Sequence, residues 1–206
     1  MSDLVLVGRS SSHFTRTARV FALELGVPHA FRPVLDITSA DAATYAGNPA
    51  LKMPVLVDAD GPLFGTENIC RELAHRSQTR SRVLLRGDVA DRLVANAEEM
   101  TLHVMSTEVI LVMARMPGDG RAAPAKLLRS LENSLSFLNE SVDRVLDTLP
   151  ADRAISFLET ALFCVVTHLP FRQVMDVAVY ERLTSFSEQF GKREGAQQTE
   201  YRFDAA

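Results

Sequence analysis

The stretch from Asn48 to Asn68 restricts the fold most, because it joins a strand-opening proline, a tight turn and a helix start within about two dozen residues. Val55-Leu56-Val57 is short, apolar and β-branched, and Asp58-Ala59-Asp60-Gly61-Pro62 closes it, which predicts a strand followed by a turn. Leu63-Phe64 resumes the strand pattern, so the segment reads as a hairpin. Pro54 stands at the mouth of the first strand, where a missing N–H is tolerated. A cis bond between Met53 and Pro54 turns the backbone of Met53 outward, where an extended, peptide-like ligand can pair with it. Thr66 reads as the N-cap of a helix that carries Glu67 and Asn68 in its first turn and continues through Ile69, Cys70 and Leu73. A helix N-terminus presents unpaired N–H groups to a carboxylate, and Glu67 presents a carboxylate to an amine.

The rest of the chain supplies what this hairpin packs against. Leu4-Val5-Leu6-Val7 reads as a buried strand, followed by the polar loop Arg9-Ser10-Ser11-Ser12. A helix is expected over His13 to Leu25, stopped by Gly26 and Pro28, and a second strand over His29 to Leu35 with an edge or bulge at Pro33. Strand–helix–strand is a right-handed crossover, so the first two strands should be parallel. A short irregular helix is expected near Ser39 to Tyr45, and the hairpin and its helix to Arg76 complete a βαβ-ββα unit. Polar Gln78-Thr79-Arg80-Ser81 separates a first domain, 1–77, from a second, 82–206, in which every element is expected to be helical. One long helix, or two in series, covers Val83 to Met116 and ends at Pro117-Gly118-Asp119-Gly120. The next opens at Pro124 and carries Leu128, Leu131, Leu135, Leu138, Val142, Val145 and Leu149 at helical spacing. Ser156-Phe157-Leu158-Glu159 is a capping box, with the glutamate reaching back to the serine amide, on a helix ended by Pro170. Short helices are expected near Val174 to Val179 and Glu181 to Lys192, and an irregular tail from Gly195.

A length of 206 residues with 47% hydrophobic and 23% charged residues suits a soluble globular protein with a proper core. The net charge of −4 argues against nucleic acid as the main partner. Cys70 and Cys164, both in apolar helical patterns, read as reduced core thiols. The start of the chain lacks a leader pattern and no apolar run spans a bilayer, so a cytoplasmic, membrane-free setting is expected. The five histidines show no metal-ligand spacing and no phosphate-cradling glycine loop is present, so no metal is expected.

These elements resemble the cytosolic glutathione transferases over essentially the whole chain. Asn48-Pro49-Ala50-Leu51-Lys52-Met53-Pro54-Val55-Leu56 is similar to that family's Asn-Pro-x-Gly-Lys-Val-Pro-x-Leu with its cis-proline, and Thr66-Glu67-Asn68-Ile69 to its x-Glu-Ser-x-x-Ile turn. Ser12-His13-Phe14-Thr15-Arg16-Thr17-Ala18-Arg19 resembles the start of the first helix in serine-type bacterial members. Ser156 to Glu159 is similar to the Ser/Thr-x-x-Asp folding motif, and Arg193-Glu194-Gly195-Ala196 with Thr199 to the family's ending. Leu51 replaces glycine, Met53 valine, His13 proline and Asn68 serine. The resemblance implies a thioredoxin-like α/β domain followed by an all-α domain, in a homodimer. It also implies glutathione as co-substrate in the conjugation of a small hydrophobic electrophile, a detoxification chemistry.

By the same resemblance, Ser12 stabilises the glutathione thiolate, a role for which Ser11 or Ser10 are alternatives and beside which a plain N-cap role stands open. Lys52, Met53, Pro54, Glu67 and Asn68 hold glutathione; Glu67 also reads as a first-turn acid, and Lys52 as a solvated cation. His13, Met100, His103, Val104 and Thr107 are candidates for the electrophile pocket, although Met and apolar residues at that spacing more often form core or subunit interface. His103 and Glu108 act on a substrate in one reading and are solvated or satisfied in the core in the other. A catalytically silent interaction module, and a glutathione-dependent isomerase or dehalogenase, are the alternatives.

Overall fold

The computed structural model describes residues 4–115 and 125–205. Four strands, β1 (Val5–Gly8), β2 (Ala30–Pro33), β3 (Val55–Asp58) and β4 (Gly61–Phe64), form one sheet in the order β2-β1-β3-β4. β1 and β2 run parallel, while β3 runs antiparallel to both β1 and β4. Pro33 and Pro62 both lie in the outer strands, where a missing N–H breaks no ladder. β1 is apolar throughout because it is central: Leu6 faces one layer and Val7 the other, each 1% exposed.

Helix α1 (His13–Glu24) and helix α2 (Thr66–Arg76) cover one face with Ala18, Phe21, Ala22, Ile69, Cys70 and Leu73. The other face carries a small cluster of Val7, Val34, Tyr45 and Val55. The helical domain contains α3 (Arg92–Ala114), α4 (Ala125–Thr148), α5 (Phe157–Phe171), α6 (Glu181–Phe190) and α7 (Glu194–Gln197). Leu131, Leu135, Leu138, Val142 and Val145 form the buried stripe of α4, as their spacing predicts. A single apolar cluster runs from Leu6 and Phe21 through Val104 and Leu135 to Phe163 and Leu169, so the two domains share one core.

The thioredoxin-like unit and the helical domain match the expectation, and several details correct it. The 82–206 region is not all helix: β5 (Val83–Leu84) pairs in parallel with β6 (Ile155–Ser156). The long helix therefore starts only at Arg92, where Asp91 caps it by accepting from the amides of Leu93 and Val94. Gly65, at φ 89°, is the N-cap of α2, and Thr66 is already inside the helix and buried. Ser156 caps α5 through the amide of Glu159 at 3.0 Å, but the Glu159 carboxylate turns to Arg153 at 2.7 and 2.8 Å instead of reaching back. A charged partner outcompetes a neutral amide for a carboxylate. Pro170 lies within the last turn of α5, which runs on to Phe171. Val174 to Val179 is irregular, with a bend at Val174 and a turn at Ala178–Val179, and the tail contains α7. The expected glycine–proline stop after Met116 and the proline opening of α4 fall outside the described residues.

Candidate functional site

Strand directions bring three chain segments to one end of the sheet. β1 leaves that end at Gly8, β3 enters it after Pro54, and β4 leaves it at Phe64. Val7 pairs with Val55 and Val55 with Phe64, so continuing the register sets Pro54 between Gly8 and Gly65. The Arg9–Ser12 loop, Met53 and the start of α2 thus share one sheet edge. Gly8 is required there, since a Cβ would come within 2.5 Å of the Thr15 side chain.

The Met53–Pro54 peptide is cis. Pro54 is buried, Met53 is half-buried, and the Met53 N–H and C=O make no hydrogen bond among the described residues. Asn48 shapes the approach: its side-chain amide donates to Lys52 O at 2.8 Å, and its side-chain oxygen accepts from the amide of Ala50 at 3.0 Å. Leu51, in the position where the family motif has glycine, takes φ 53°, a conformation that favours glycine. Lys52 is exposed.

Helix α2 begins without a side-chain cap, because its N-cap is glycine. Its first amides are open to an anion, and the dipole favours one. Glu67 is half-buried and pairs with Arg71 one turn on, at 3.0 Å. The Asn68 side-chain amide donates to Phe64 O at 3.0 Å, so it reaches back toward the start of the helix with its amide already engaged.

The three loop serines stand in different surroundings. Ser10 is 1% exposed, its amide donating to Asp204 Oδ2 at 2.8 Å. Ser11 is 5% exposed, and its carbonyl accepts from His168 Nε2 at 2.9 Å. Ser12 is half-buried and caps α1 by accepting from the Thr15 amide at 3.3 Å. That bond uses an oxygen lone pair and leaves the hydroxyl proton free to donate.

The residues expected to line the electrophile pocket fall in separate surroundings. Met100, His103 and Thr107 lie on one stripe of α3 that turns toward α4: Ser134 Oγ donates to the Met100 sulfur at 3.6 Å, and His103 Nε2 meets Ser130 Oγ at 3.2 Å and Thr107 Oγ1 at 3.4 Å. Val104 is fully buried in the core and His13 is 1% exposed. The helical phase is the reason: the stripe toward α1 and α5 holds Met105 and Glu108.

Between the domains lies a polar seam that spacing does not reveal. Arg16, 5% exposed, donates to Thr199 Oγ1, Thr167 Oγ1 and Ala196 O at 3.3, 3.1 and 3.0 Å, and stacks on the rings of Tyr201 and Phe163. Beside it, His13, Glu108 and His168 meet with 1%, 0% and 4% exposure. Burial, reinforced by His168, pushes the His13 pKa well down, whereas burial raises that of Glu108 against the hydrogen bond from His168. The one available signal for this cluster is an ionisable residue in an otherwise apolar helical run at Glu108 and again at His168.

Residues 11–76 match the family model described as glutathione S-transferase, N-terminal domain. That match covers about a third of the chain and lies within the α/β unit that carries the sheet edge. Among solved structures it is similar to a glutathione transferase from Methylobacillus flagellatus KT with glutathione bound, at 22% identity and a TM-score of 0.79, covering 97% of this chain and 100% of that one. It is also similar to one from Methylobacterium radiotolerans JCM 2831 in complex with glutathione sulfonate, at 18% identity and a TM-score of 0.76, covering 100% and 98%. A family member from Pseudomonas fluorescens Pf-5 with bound glutathione has a TM-score of 0.78 at 18% identity, covering 97% and 99%. A search of the curated proteins returns no match. Likeness at this identity extends to the fold, and the site residues rest on their own geometry.

Proposed function

We propose that this glutathione transferase relative binds glutathione at the sheet edge and conjugates its thiolate to a small hydrophobic electrophile. The observation that carries the reading is the Met53 backbone, without a hydrogen bond among the described residues, beside the register from Pro54 to the uncapped start of α2. An extended peptide pairs with Met53 as a short added strand, its carboxylate takes the first amides of α2, and Glu67 receives its ammonium group in exchange for part of the Arg71 pair. Lys52, exposed beside Met53, supplies a cation for the second carboxylate.

Ser12 is the donor to the sulfur. Its hydroxyl is the most open of the three, whereas Ser10 and Ser11 are nearly inaccessible. The α1 N-terminus adds a dipole that favours the anion, so the thiol loses its proton more readily than in water. The thiolate sulfur then attacks the electrophilic carbon, and the leaving group departs with the bond's electron pair. Two copies of the chain, in a cytoplasmic setting, complete the reading.

Calorimetric titration of glutathione near neutral pH, repeated in buffers of different ionisation enthalpy, tests it. Binding with proton release is expected. The absence of binding at millimolar glutathione would overturn the reading and leave only a retained fold.

A further inference from the structure

His13, Glu108 and His168 form the one group of three potential metal ligands among the described residues, with donor atoms all within 4.8 Å of one another. They come from the start of α1, the last third of α3 and the last turn of α5. His13 Nε2 lies 3.1 Å from Met105 O, and His168 Nε2 lies 2.9 Å from Ser11 O. A carbonyl only accepts, so both Nε2 atoms carry hydrogen and each neutral imidazole holds its bare lone pair on Nδ1. Those two lone pairs face each other at 3.0 Å. Such an arrangement repels unless a positive species lies between them.

Glu108 closes the third side. Its Oε1 stands 2.7 Å from His168 Nδ1, and its Oε2 stands 3.6 Å from His13 Nδ1. Oε2 is buried and has no hydrogen-bond partner among the described residues. A proton on His168 Nδ1 serves that nitrogen, Oε1 and His13 Nδ1, and leaves Oε2 unsatisfied. A metal ion satisfies all four atoms at once.

We propose that the cluster is a two-histidine, one-carboxylate site for a divalent transition metal ion of the zinc type, with Glu108 bidentate. Imidazoles that present Nδ1 to a metal and anchor Nε2–H on a backbone carbonyl have the outer-shell support such sites use. Zinc–nitrogen bonds of about 2.0–2.1 Å set the two nitrogens roughly 3.3 Å apart, so they need to part by only a few tenths of an ångström. Arg172 faces both His13 and Glu108 and opposes a cation, while the carboxylate and the two carbonyl-anchored dipoles favour it. The role is structural: the ion ties the Ser11–His13 corner to α3 and α5. Its binding is independent of whether glutathione binds.

The test is a cobalt(II) titration of the full-length chain after chelator treatment, followed by visible absorption. Uptake of one equivalent per chain, release by zinc(II), and at least about tenfold weaker binding in Glu108→Gln and His168→Gln variants of unchanged far-UV circular dichroism are expected. Nitrogen-15 spectra of the imidazoles provide a readout on the unmutated protein: metal should shift both Nδ1 signals and preserve both Nε2–H signals. No cobalt uptake, equal uptake by the variants, or a chelator-insensitive Nδ1–H shared by the two rings would overturn the site. The last outcome would assign the cluster to a trapped proton.

Discussion

The Met53–Asn68 platform and the seam between α1, α3 and α5 reach opposite solutions with similar residue types. On the platform, backbone groups face outward: among the described residues the Met53 backbone is unpaired, α2 starts on a glycine without a side-chain cap, and Glu67 pairs with the exposed Arg71. In the seam nearly every polar atom is committed inward, with Arg16 holding three oxygens and two ring faces. A surface left unsatisfied on a rigid frame is ready to bind, because an incoming ligand replaces water instead of a protein partner. A buried charge has no such freedom, since desolvation makes each lost partner costly. On the proposed function, the platform therefore governs affinity and the seam governs stability.

Substitutions that break this division should have unequal effects. Arg16→Met should cost the most, ~3–5 kcal/mol in urea unfolding, because it removes three charge-assisted hydrogen bonds and two cation–π contacts from the seam. A loss below about 1 kcal/mol would place those acceptors in contact with water. Ser12→Ala should lower turnover by about 10²–10³, as for an anion-stabilising donor, while costing only ~1 kcal/mol of stability through the lost cap. An equal loss in both measurements would reduce Ser12 to a cap. Glu67→Ala should weaken glutathione about tenfold by calorimetry, ~1.4 kcal/mol, with the melting temperature unchanged. Asn68→Ala should change affinity less than about threefold, because its amide already serves Phe64 O in a bond with a modest net contribution. A larger loss would show that the side chain turns toward ligand. Leu51→Gly should have the smallest effect, a stability change within about 1 kcal/mol, since relief of the left-handed leucine opposes the added chain entropy of glycine. A large gain would reveal strain in the left-handed Leu51 backbone.

Legibility followed the same division. The hairpin, the cis-proline candidate and the acidic first turn of α2 were readable because they depend on contiguous residues and backbone preferences. Thr66 was misread as the cap because a hydroxyl beside a helix start looks identical whether it stands at the N-cap or one residue inside. The direction of the α3 stripe was not readable: Met100, His103 and Thr107 have helical spacing, but spacing does not state that the stripe faces α4. The parallel β5–β6 pair was hidden because two-residue strands have no periodicity, and a segment 71 residues away supplies the partner.

Local residue order alone determined the βαβ-ββα unit, the leucine stripe of α4 and the outward-facing edge at Met53, because strand alternation, helical period and the proline peptide act over a few residues. Only the tertiary structure decided that Ser12 is open while Ser10 and Ser11 are enclosed. The same holds for His13 and His168, 155 positions apart, which stand 3.0 Å from each other around Glu108. Such proximity depends on how α3 and α5 pack with α1, and packing sums weak contacts over the whole core that no short window of sequence contains.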